Sequence, residues 1–515
     1  MEKKRFLYGA AIQGIQGFIF KTNKLKEIVG GSEMVERICT ELFYNTAGIF
    51  KPDEDKNIIL SAAGNIKYIF EDEQKCKDFV RIFPKVVMDY APGITISQAV
   101  VSFVGDDFSE VIQLLENKLK SQRNKVSLTT EIGFMGLERA RRTGGVGADY
   151  DGSEVIDNST QKKVDAANNL NLFQKMTGFK PKASELAFDT DDISKSGKNS
   201  WIAVIHADGN GLGQILQSHG RILVQSKKFA QFSKAIDEAT KNAVRKAFEE
   251  LVKVDYEQKK LAHETKFKLR YPIRPIVIGG DDLTVIIRAD LAFEFTKAFL
   301  KKFEEESASL FQNIGINGYE QGLTACAGIA FIKESYPLHY GLHLAEQLCI
   351  DAKKKVKFES TPGVLADPKY GQMPKSAFAF YKVQDSFVEG LKELKERTLK
   401  TGSGLSYFYG PYLLEEADLL SNKLNEISKE ANKNDKSKAV GKLRQIVSET
   451  YKDKSTAVFM MKRMKEVNDK FYNTLILENE LQAIENSALP QENNTKSQLL
   501  DLITLHSLNY GNREN

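Results

Sequence analysis

The order of predicted strands and helices repeats within the chain, and this repeat constrains the fold more than any other feature of the sequence. Residues 5–13 have the pattern of a strand that enters a glycine-rich turn, and residues 23–46 have the apolar spacing of an amphipathic helix. Two β-rich runs around the tripeptide Ala-Gly-Asn then predict a hairpin. A helix, a strand and a helix follow, giving the β-α-β-β-α-β order of a ferredoxin-like domain. The same order begins again at Trp201.

The repeat predicts an α+β protein with two ferredoxin-like (βαββαβ) domains and a helical C-terminus. Aligning the two hairpins places Gly64 and Asn65 over Asp281 and Asp282. The first domain therefore lacks the acidic pair of the second, and we expect it to be non-catalytic. The predicted parts are a first domain at 1–130, an irregular connecting segment at 131–200, a second domain at 201–385 and a helical domain at 386–515.

Composition excludes several classes of protein. At 515 residues the chain is long enough for more than one domain, and a net charge of +4 is too small for a protein that binds nucleic acid over its whole surface. Nowhere do about 18 apolar residues run together, which predicts no membrane partner and a cytoplasmic location. The 4 cysteines lie far apart without zinc-site spacing and are expected to be reduced core thiols.

The strongest chemical signal is the turn Gly279-Gly280-Asp281-Asp282 between two apolar strands. Adjacent carboxylates on a buried hairpin are costly unless cations neutralise them, and their hard oxygens suit Mg²⁺ or Mn²⁺. A surface turn chosen only for its backbone conformation is the alternative. Asp208 favours the metal interpretation, because it ends a strand predicted to lie beside this hairpin. Asp208, Asp281 and Asp282 are therefore predicted to be catalytic residues that hold two metal ions.

Other residues are candidates for contacts with a nucleotide. The glycine-rich turn after Asp208 suits a loop whose backbone N–H groups surround phosphates, although neither a dinucleotide-binding nor a P-loop pattern is present. Lys353 is predicted either to neutralise phosphate charge or to be solvated. The first domain offers a glutamine and a serine for a second nucleotide, with plain scaffolding as the alternative. The candidates are Gly209, Asn210, Gly211, Gly213, Gly279, Gly280, Lys353, Gln13 and Ser32.

Together these motifs resemble the large polymerase- and cyclase-like subunit of type III CRISPR effector complexes and its free-standing relatives. The resemblance rests on IQGIQGFIFKTNKLKEIVGGS, IHADGNGLG, IGGDDLTVII, AGIAFIKESYPLHYGLHLAEQLCIDAK and SAFAFYKV, and it covers about residues 1–385. It implies two palm domains and the conversion of ATP into cyclic oligoadenylate second messengers in antiviral defence. In that reaction a 3′-hydroxyl attacks an α-phosphate and pyrophosphate leaves.

Two departures from the family bear on partners. None of the 6 histidines is followed by aspartate, so the His-Asp nuclease domain of many members is not expected, and the cysteines that often bind zinc between the palms are missing. The sequence therefore also fits a smaller or free-standing cyclase. RNA-guided complex subunits, RNA as an activator and a homo-oligomer remain candidate partners.

Two other functions stay open. One is a cyclic dinucleotide synthase that uses GTP, which is disfavoured because such enzymes usually carry GG[DE]EF in a single palm, whereas here Leu283 follows the two acids. The other is a non-catalytic scaffold subunit of an RNA-guided complex that binds ATP. The intact acids Asp208, Asp281 and Asp282 argue against the scaffold.

Overall fold

The computed structural model of the protein describes residues 4–52, 54–62, 64–105, 109–125, 134–212, 229–262, 268–313, 322–359, 374–385, 390–433, 439–487 and 495–510. Among the helices in these ranges, none is long and apolar enough to cross a membrane.

The first domain is a four-stranded antiparallel sheet in the order β2-β3-β1-β4. Alternate residues of β1 face opposite sides: Tyr8 packs against Phe79 on one face, and Leu7 belongs to a cluster with Leu115 on the other. This order is that of a ferredoxin-like fold. Its elements are β1 (Arg5–Gln13), α1 (Ile15–Ile19), α2 (Leu25–Arg37), a π-helical turn (Ile38–Leu42), α3 (Phe43–Ala47), β2 (Ile58–Ala62), β3 (Asn65–Phe70), α4 (Glu73–Tyr90), β4 (Thr95–Phe103) and α5 (Ser109–Arg123).

The connecting segment is more regular than its sequence indicates. Its elements are β5 (Gly147–Tyr150), β6 (Val155–Asp157), α6 (Asn158–Ala166), α7 (Asn171–Thr177), a 3₁₀ turn (Ala183–Glu185) and α8 (Thr190–Ser194). The prediction of an irregular segment was wrong here, because elements this short show too few turns for an apolar period to be visible. Local capping helps to form them: the Asp157 carboxylate accepts a hydrogen bond from the Thr160 N–H at 2.7 Å at the start of α6.

The second domain is built on a six-stranded sheet in the order β12-β11-β10-β7-β9-β8. Its strands β10-β7-β9-β8 reproduce the order of the first sheet, which confirms the predicted duplication of the ferredoxin-like fold. Strand β11 is added parallel to β10. The elements are β7 (Trp201–Gly209), α9 (Phe229–Ala247), a π-helical turn (Phe248–Lys253), α10 (Val254–Leu261), β8 (Ile273–Gly279), β9 (Asp282–Arg288), α11 (Ala289–Asn313), β10 (Ala325–Lys333), α12 (Leu338–Glu359) and β11 (Ala377–Lys382).

The regular elements of the remaining described chain are helices and the two-residue strand β12, which pairs with β11 and so attaches this part to the second sheet. The elements are α13 (Leu391–Arg397), β12 (Tyr412–Leu413), α14 (Leu414–Lys433), α15 (Ala439–Lys452), α16 (Lys454–Val467), α17 (Asp469–Thr474), α18 (Leu477–Asn486) and α19 (Leu499–Tyr510). All 4 cysteines are free and buried.

Candidate metal and nucleotide site

Three carboxylates from two neighbouring strand ends meet at one edge of the second sheet. Gly279 pairs with Asp282 across the β8–β9 turn, and Gly280 within the turn has φ of 61°. Because Ala207 pairs with Leu283, the next residue along β7, Asp208, lies opposite Asp282. One oxygen from each of Asp208, Asp281 and Asp282 lies within 4.8 Å of the others.

The glycine after Asp208 allows this close approach. A Cβ atom built on Gly209 would lie 2.8 Å from the Cβ and 2.9 Å from Oδ2 of Asp281. Any other residue at position 209 would therefore displace Asp281, because carbon atoms in contact are normally about 3.5–4.0 Å apart. The requirement for glycine here is steric and concerns the carboxylate cluster itself.

The cluster carries an electrostatic cost in the absence of cations. Burial, and then repulsion from the neighbouring carboxylates, raises the pKa of both Asp281 and Asp282 well above the ordinary carboxyl value. A divalent cation would reverse this cost by replacing repulsion with attraction, and an all-oxygen donor set suits a hard cation such as Mg²⁺. The three residues thus fit a metal site on their geometry and on their chemistry.

Lys353 supplies part of the missing positive charge. It lies on α12, its ammonium group is hydrogen-bonded to the Asp208 carboxylate, and it donates a second bond to the Gly209 carbonyl at 2.8 Å. Only 20% of the Lys353 side chain is exposed. The lysine is therefore held at the cluster rather than solvated, where it neutralises Asp208.

The loop after β7 is anchored by Asn210, one of the residues predicted to contact nucleotide. The Asn210 backbone N–H donates to the Thr324 carbonyl at 2.8 Å, and its side-chain amide donates to Thr324 Oγ1 at 3.0 Å. Asn210 is buried and anchors the loop, and its contact with nucleotide stays a prediction. Gly211 adopts φ of 72°, and Gly213 lies outside the described residues.

Two residues of the first domain were also expected to contact nucleotide. Ser32 is buried on α2 and its hydroxyl donates to the Ile28 carbonyl at 3.1 Å, so a nucleotide contact through this hydroxyl stays a prediction. The Gln13 side-chain amide is hydrogen-bonded to the Ser97 hydroxyl at the end of β1. Gln13 remains at the edge of the sheet, where a ligand would have to displace that bond.

The first sheet lacks acids at the positions equivalent to the cluster. Ala11 pairs with Asn65 in the first sheet, as Asp208 lies opposite Asp282 in the second. The three equivalent positions hold Ala11, Gly64 and Asn65. Without carboxylates, this sheet edge offers no comparable set of metal ligands.

A groove of about 430 Å³ separates the two domains beside α12. Gln16 of the first domain is hydrogen-bonded to Glu346 across it, and Asn23 is hydrogen-bonded to His339 Nδ1 at 3.0 Å. Its walls also include Gly17, Phe20, Lys21, Leu342 and His343. The glycine-rich turn after β1 thus faces the second domain across this groove.

Sequence reasoning missed two residues that fix the acidic hairpin from behind. The Gly280 N–H donates to Asp237 Oδ1 at 3.2 Å, and the Thr240 hydroxyl donates to the Gly280 carbonyl at 2.6 Å. Both side chains come from α9, one turn apart. In the sequence, only their spacing of three residues indicates that the two side chains lie on one face of a helix. Many helices carry polar pairs at that spacing, so it does not predict a contact with the hairpin.

His206, inside β7, is held by packing and a hydrogen bond. Its Nδ1 lies 3.0 Å from the Thr284 hydroxyl, and burial lowers its pKa below the usual histidine value. It therefore packs as a neutral, hydrogen-bonded side chain between two strands.

Comparison with known proteins identifies the second domain. Residues 201–359 match the family described as "Cas10/Cmr2, second palm domain". This part of the chain is therefore similar to the second palm domain of Cas10/Cmr2, in agreement with the resemblance seen in the sequence. No curated protein matches the chain significantly in sequence.

Solved structures share the fold across nearly the whole chain. A Csm1–Csm4 cassette in complex with cA4 is 13% identical over 98% of this chain and 70% of the other, with a TM-score of 0.55. The same cassette in complex with AMPPNP is 12% identical with the same coverage, 98% and 70%, and a TM-score of 0.52. Csm1 of T. onnurineus is 15% identical, again over 98% and 70%, with a TM-score of 0.52.

Proposed function

Because residues 201–359 are similar to the second palm domain of Cas10/Cmr2, we propose that the protein is a metal-dependent nucleotidyltransferase that converts ATP into cyclic oligoadenylates in a CRISPR-type antiviral defence. The observation that carries the proposal is the convergence of Asp208, Asp281 and Asp282, with ligand oxygens within 4.8 Å of one another. Polymerase-type phosphoryl transfer needs such a set of carboxylates at one sheet edge.

Each carboxylate has a defined part in this proposal. Asp208 and Asp281 would hold two Mg²⁺ or Mn²⁺ ions, with Asp282 completing the set, and the ions would neutralise the phosphates and lower the pKa of the attacking hydroxyl. The 3′-oxygen of one ATP forms a bond to the α-phosphorus of another, the bond from that phosphorus to the oxygen bridging to the β-phosphate breaks, and pyrophosphate leaves with its electron pair. Lys353 stands beside Asp208, where it offers positive charge to the phosphates.

The choice of an adenine nucleotide is supported by the similar structures, whose cassettes were crystallised with cA4 and with AMPPNP. The groove between the two domains offers room for the acceptor nucleotide, and its volume of about 430 Å³ lies within the usual range for ligand pockets. The first palm would then bind without reacting, since Ala11, Gly64 and Asn65 occupy the positions of the three acids.

Regulation and partners follow from the same resemblance. The Csm1 relatives are described as a cassette with Csm4, and we propose that this protein works in the cytoplasm either within an RNA-guided complex or as a free-standing enzyme switched on by RNA.

The direct test is to incubate the purified protein with labelled ATP or labelled GTP and with Mg²⁺ or Mn²⁺, with and without RNA, and to separate the products. We expect cyclic oligoadenylates and pyrophosphate from ATP, and no product from the double variant Asp281→Ala/Asp282→Ala, which loses metal ligands but little core packing. ATP that binds without turnover under every condition would identify a scaffold instead. Preferential turnover of GTP would identify a cyclic dinucleotide synthase.

A further inference from the structure

The connecting segment crosses α2 of the first palm along a single row of residues. Glu27, Gly30, Glu33 and Glu36 are spaced by three, the spacing that forms an oblique ridge across a helix. Each of the four meets a different part of the segment. The connecting segment therefore contacts α2 along nearly the whole length of that helix.

Two contacts fix the first half of this row. The Glu27 carboxylate is paired with Arg142, and only 3% of the Glu27 side chain is exposed. A Cβ built on Gly30 would lie 1.7 Å from the Lys163 carbonyl oxygen, so the backbone of α6 rests directly on the helix at this point. The two elements cannot shift against each other without breaking this close packing.

The second half of the row holds α7. The Glu33 carboxylate accepts hydrogen bonds from the backbone N–H groups of Asn171 and Leu172, both at 3.0 Å. These N–H groups belong to the first turn of α7, whose own N-cap has no side-chain hydrogen bond. Glu36 is paired with Lys175 of α7 at 3.0 Å. A helix of the connecting segment is thus capped and paired by acids of the first palm.

Lys175 continues the path to the acidic hairpin. Its ammonium lies 3.9 Å from Asp237 Oδ1, the atom that accepts the Gly280 N–H. The side chains of Glu36, Lys175 and Asp237 are 14%, 12% and 17% exposed, so solvent screens their interactions only weakly. Glu36, Lys175, Asp237 and Gly280 form a continuous path from the first palm to the residue before Asp281.

We propose that Lys175 is a positioning residue that couples the placement of the first palm to that of the metal-binding hairpin, a role that rests on the proposed function. Without its ammonium, the Glu36 and Asp237 carboxylates would be left partly buried with less compensating charge. Asp237 would keep the ion pair that its Oδ2 makes with Lys241 of α9, and this pair would draw the carboxylate away from the Gly280 N–H. Gly280 would then lose its acceptor, and Asp281 would lose the fixed backbone on which its position depends. A displacement of α2 would shift the hairpin through these same contacts.

The test compares Lys175→Met with Lys175→Arg, which keeps the charge, and with Lys246→Met as the control. Lys246 lies on α9 like Asp237 but pairs with Glu306 instead. We expect Lys175→Met to speed hydrogen exchange in peptides covering residues 276–284 by at least tenfold and to weaken Mn²⁺ binding by at least tenfold. In turnover it should lower kcat with little change in KM. Lys175→Arg should restore most of each property, and Lys246→Met should change none.

Unchanged hydrogen exchange and Mn²⁺ affinity in Lys175→Met would overturn the proposal. If Lys175→Met does not fold, Lys175→Gln serves in its place, because its neutral amide removes the charge while staying polar at a partly buried position. Exchange and Mn²⁺ binding are measured without turnover. A wild-type protein that makes no product would therefore refute the proposed function while leaving this coupling open to the same two measurements.

Discussion

Gly209 and Asp281 lie against each other at the edge of the second sheet, with the position of a Cβ on residue 209 only 2.8 Å from the Asp281 Cβ. Gly209→Ala should therefore displace Asp281 and weaken Mn²⁺ binding by at least tenfold, with a larger loss of product. Isothermal titration with Mn²⁺ measures the effect. Gly441→Ala is the control, because among the described residues no atom outside its own helix backbone lies within 4 Å of the Cβ position of this exposed glycine of α15. The variant should gain about 0.5–1 kcal/mol of stability. Wild-type Mn²⁺ affinity in Gly209→Ala would contradict the steric argument.

Lys353 neutralises Asp208 when no metal is bound. Lys353→Met should destabilise the metal-free protein by ~1–2 kcal/mol, since the cluster then contains three carboxylates and no cation. Added Mg²⁺ should recover most of that loss, so the increase in Tm caused by Mg²⁺ should be larger in Lys353→Met than in the wild type. Lys354→Met, at an exposed neighbouring position, should behave like the wild type. Equal increases in Tm for all three proteins would show that Lys353 does not neutralise the carboxylate cluster.

The raised pKa of Asp282 predicts how stability depends on pH. The folded protein keeps this proton to higher pH than the unfolded chain does, so the free energy of unfolding falls as pH rises from the unfolded pKa, about 4, toward the folded value. Asp282→Asn should therefore stabilise the metal-free protein at pH 8 and have little effect near pH 4. Urea unfolding in EDTA at the two pH values measures this difference.

The control for this titration is Asp89→Asn, since Asp89 is exposed near the end of α4. It should show no such growth of stability with pH. A stability gain for Asp282→Asn that is the same at both pH values would argue that packing, and not charge, is the cause.

The sequence was sufficient to predict the duplicated fold and the acidic cluster for one physical reason. Strand alternation and the two glycine-rich turns are local signals, and the ferredoxin-like order makes the strands that end at Asp208 and begin at Asp282 neighbours. Once these strands are adjacent, the meeting of their carboxylates follows from register alone.

The missed features depend on contacts distant in sequence. Lys175 and Asp237 occupy ordinary mixed helices, and nothing local indicates that they meet. Ser32 has a hydroxyl suited to phosphate, but α2 packs against α6 of the connecting segment and β8 of the second domain, and the helix backbone uses that hydroxyl. The role of Asn210 as a loop anchor was missed for the same reason, because its partner Thr324 is 114 residues away.

The most direct test is a crystal structure of the protein with Mn²⁺ and a non-hydrolysable ATP analogue, recorded at a wavelength where manganese scatters anomalously. The account predicts two anomalous peaks roughly 3.5–4 Å apart, bounded by the carboxylates of Asp208, Asp281 and Asp282 and in contact with the triphosphate. Manganese bound elsewhere, or a nucleotide bound with no metal at these three side chains, would contradict it.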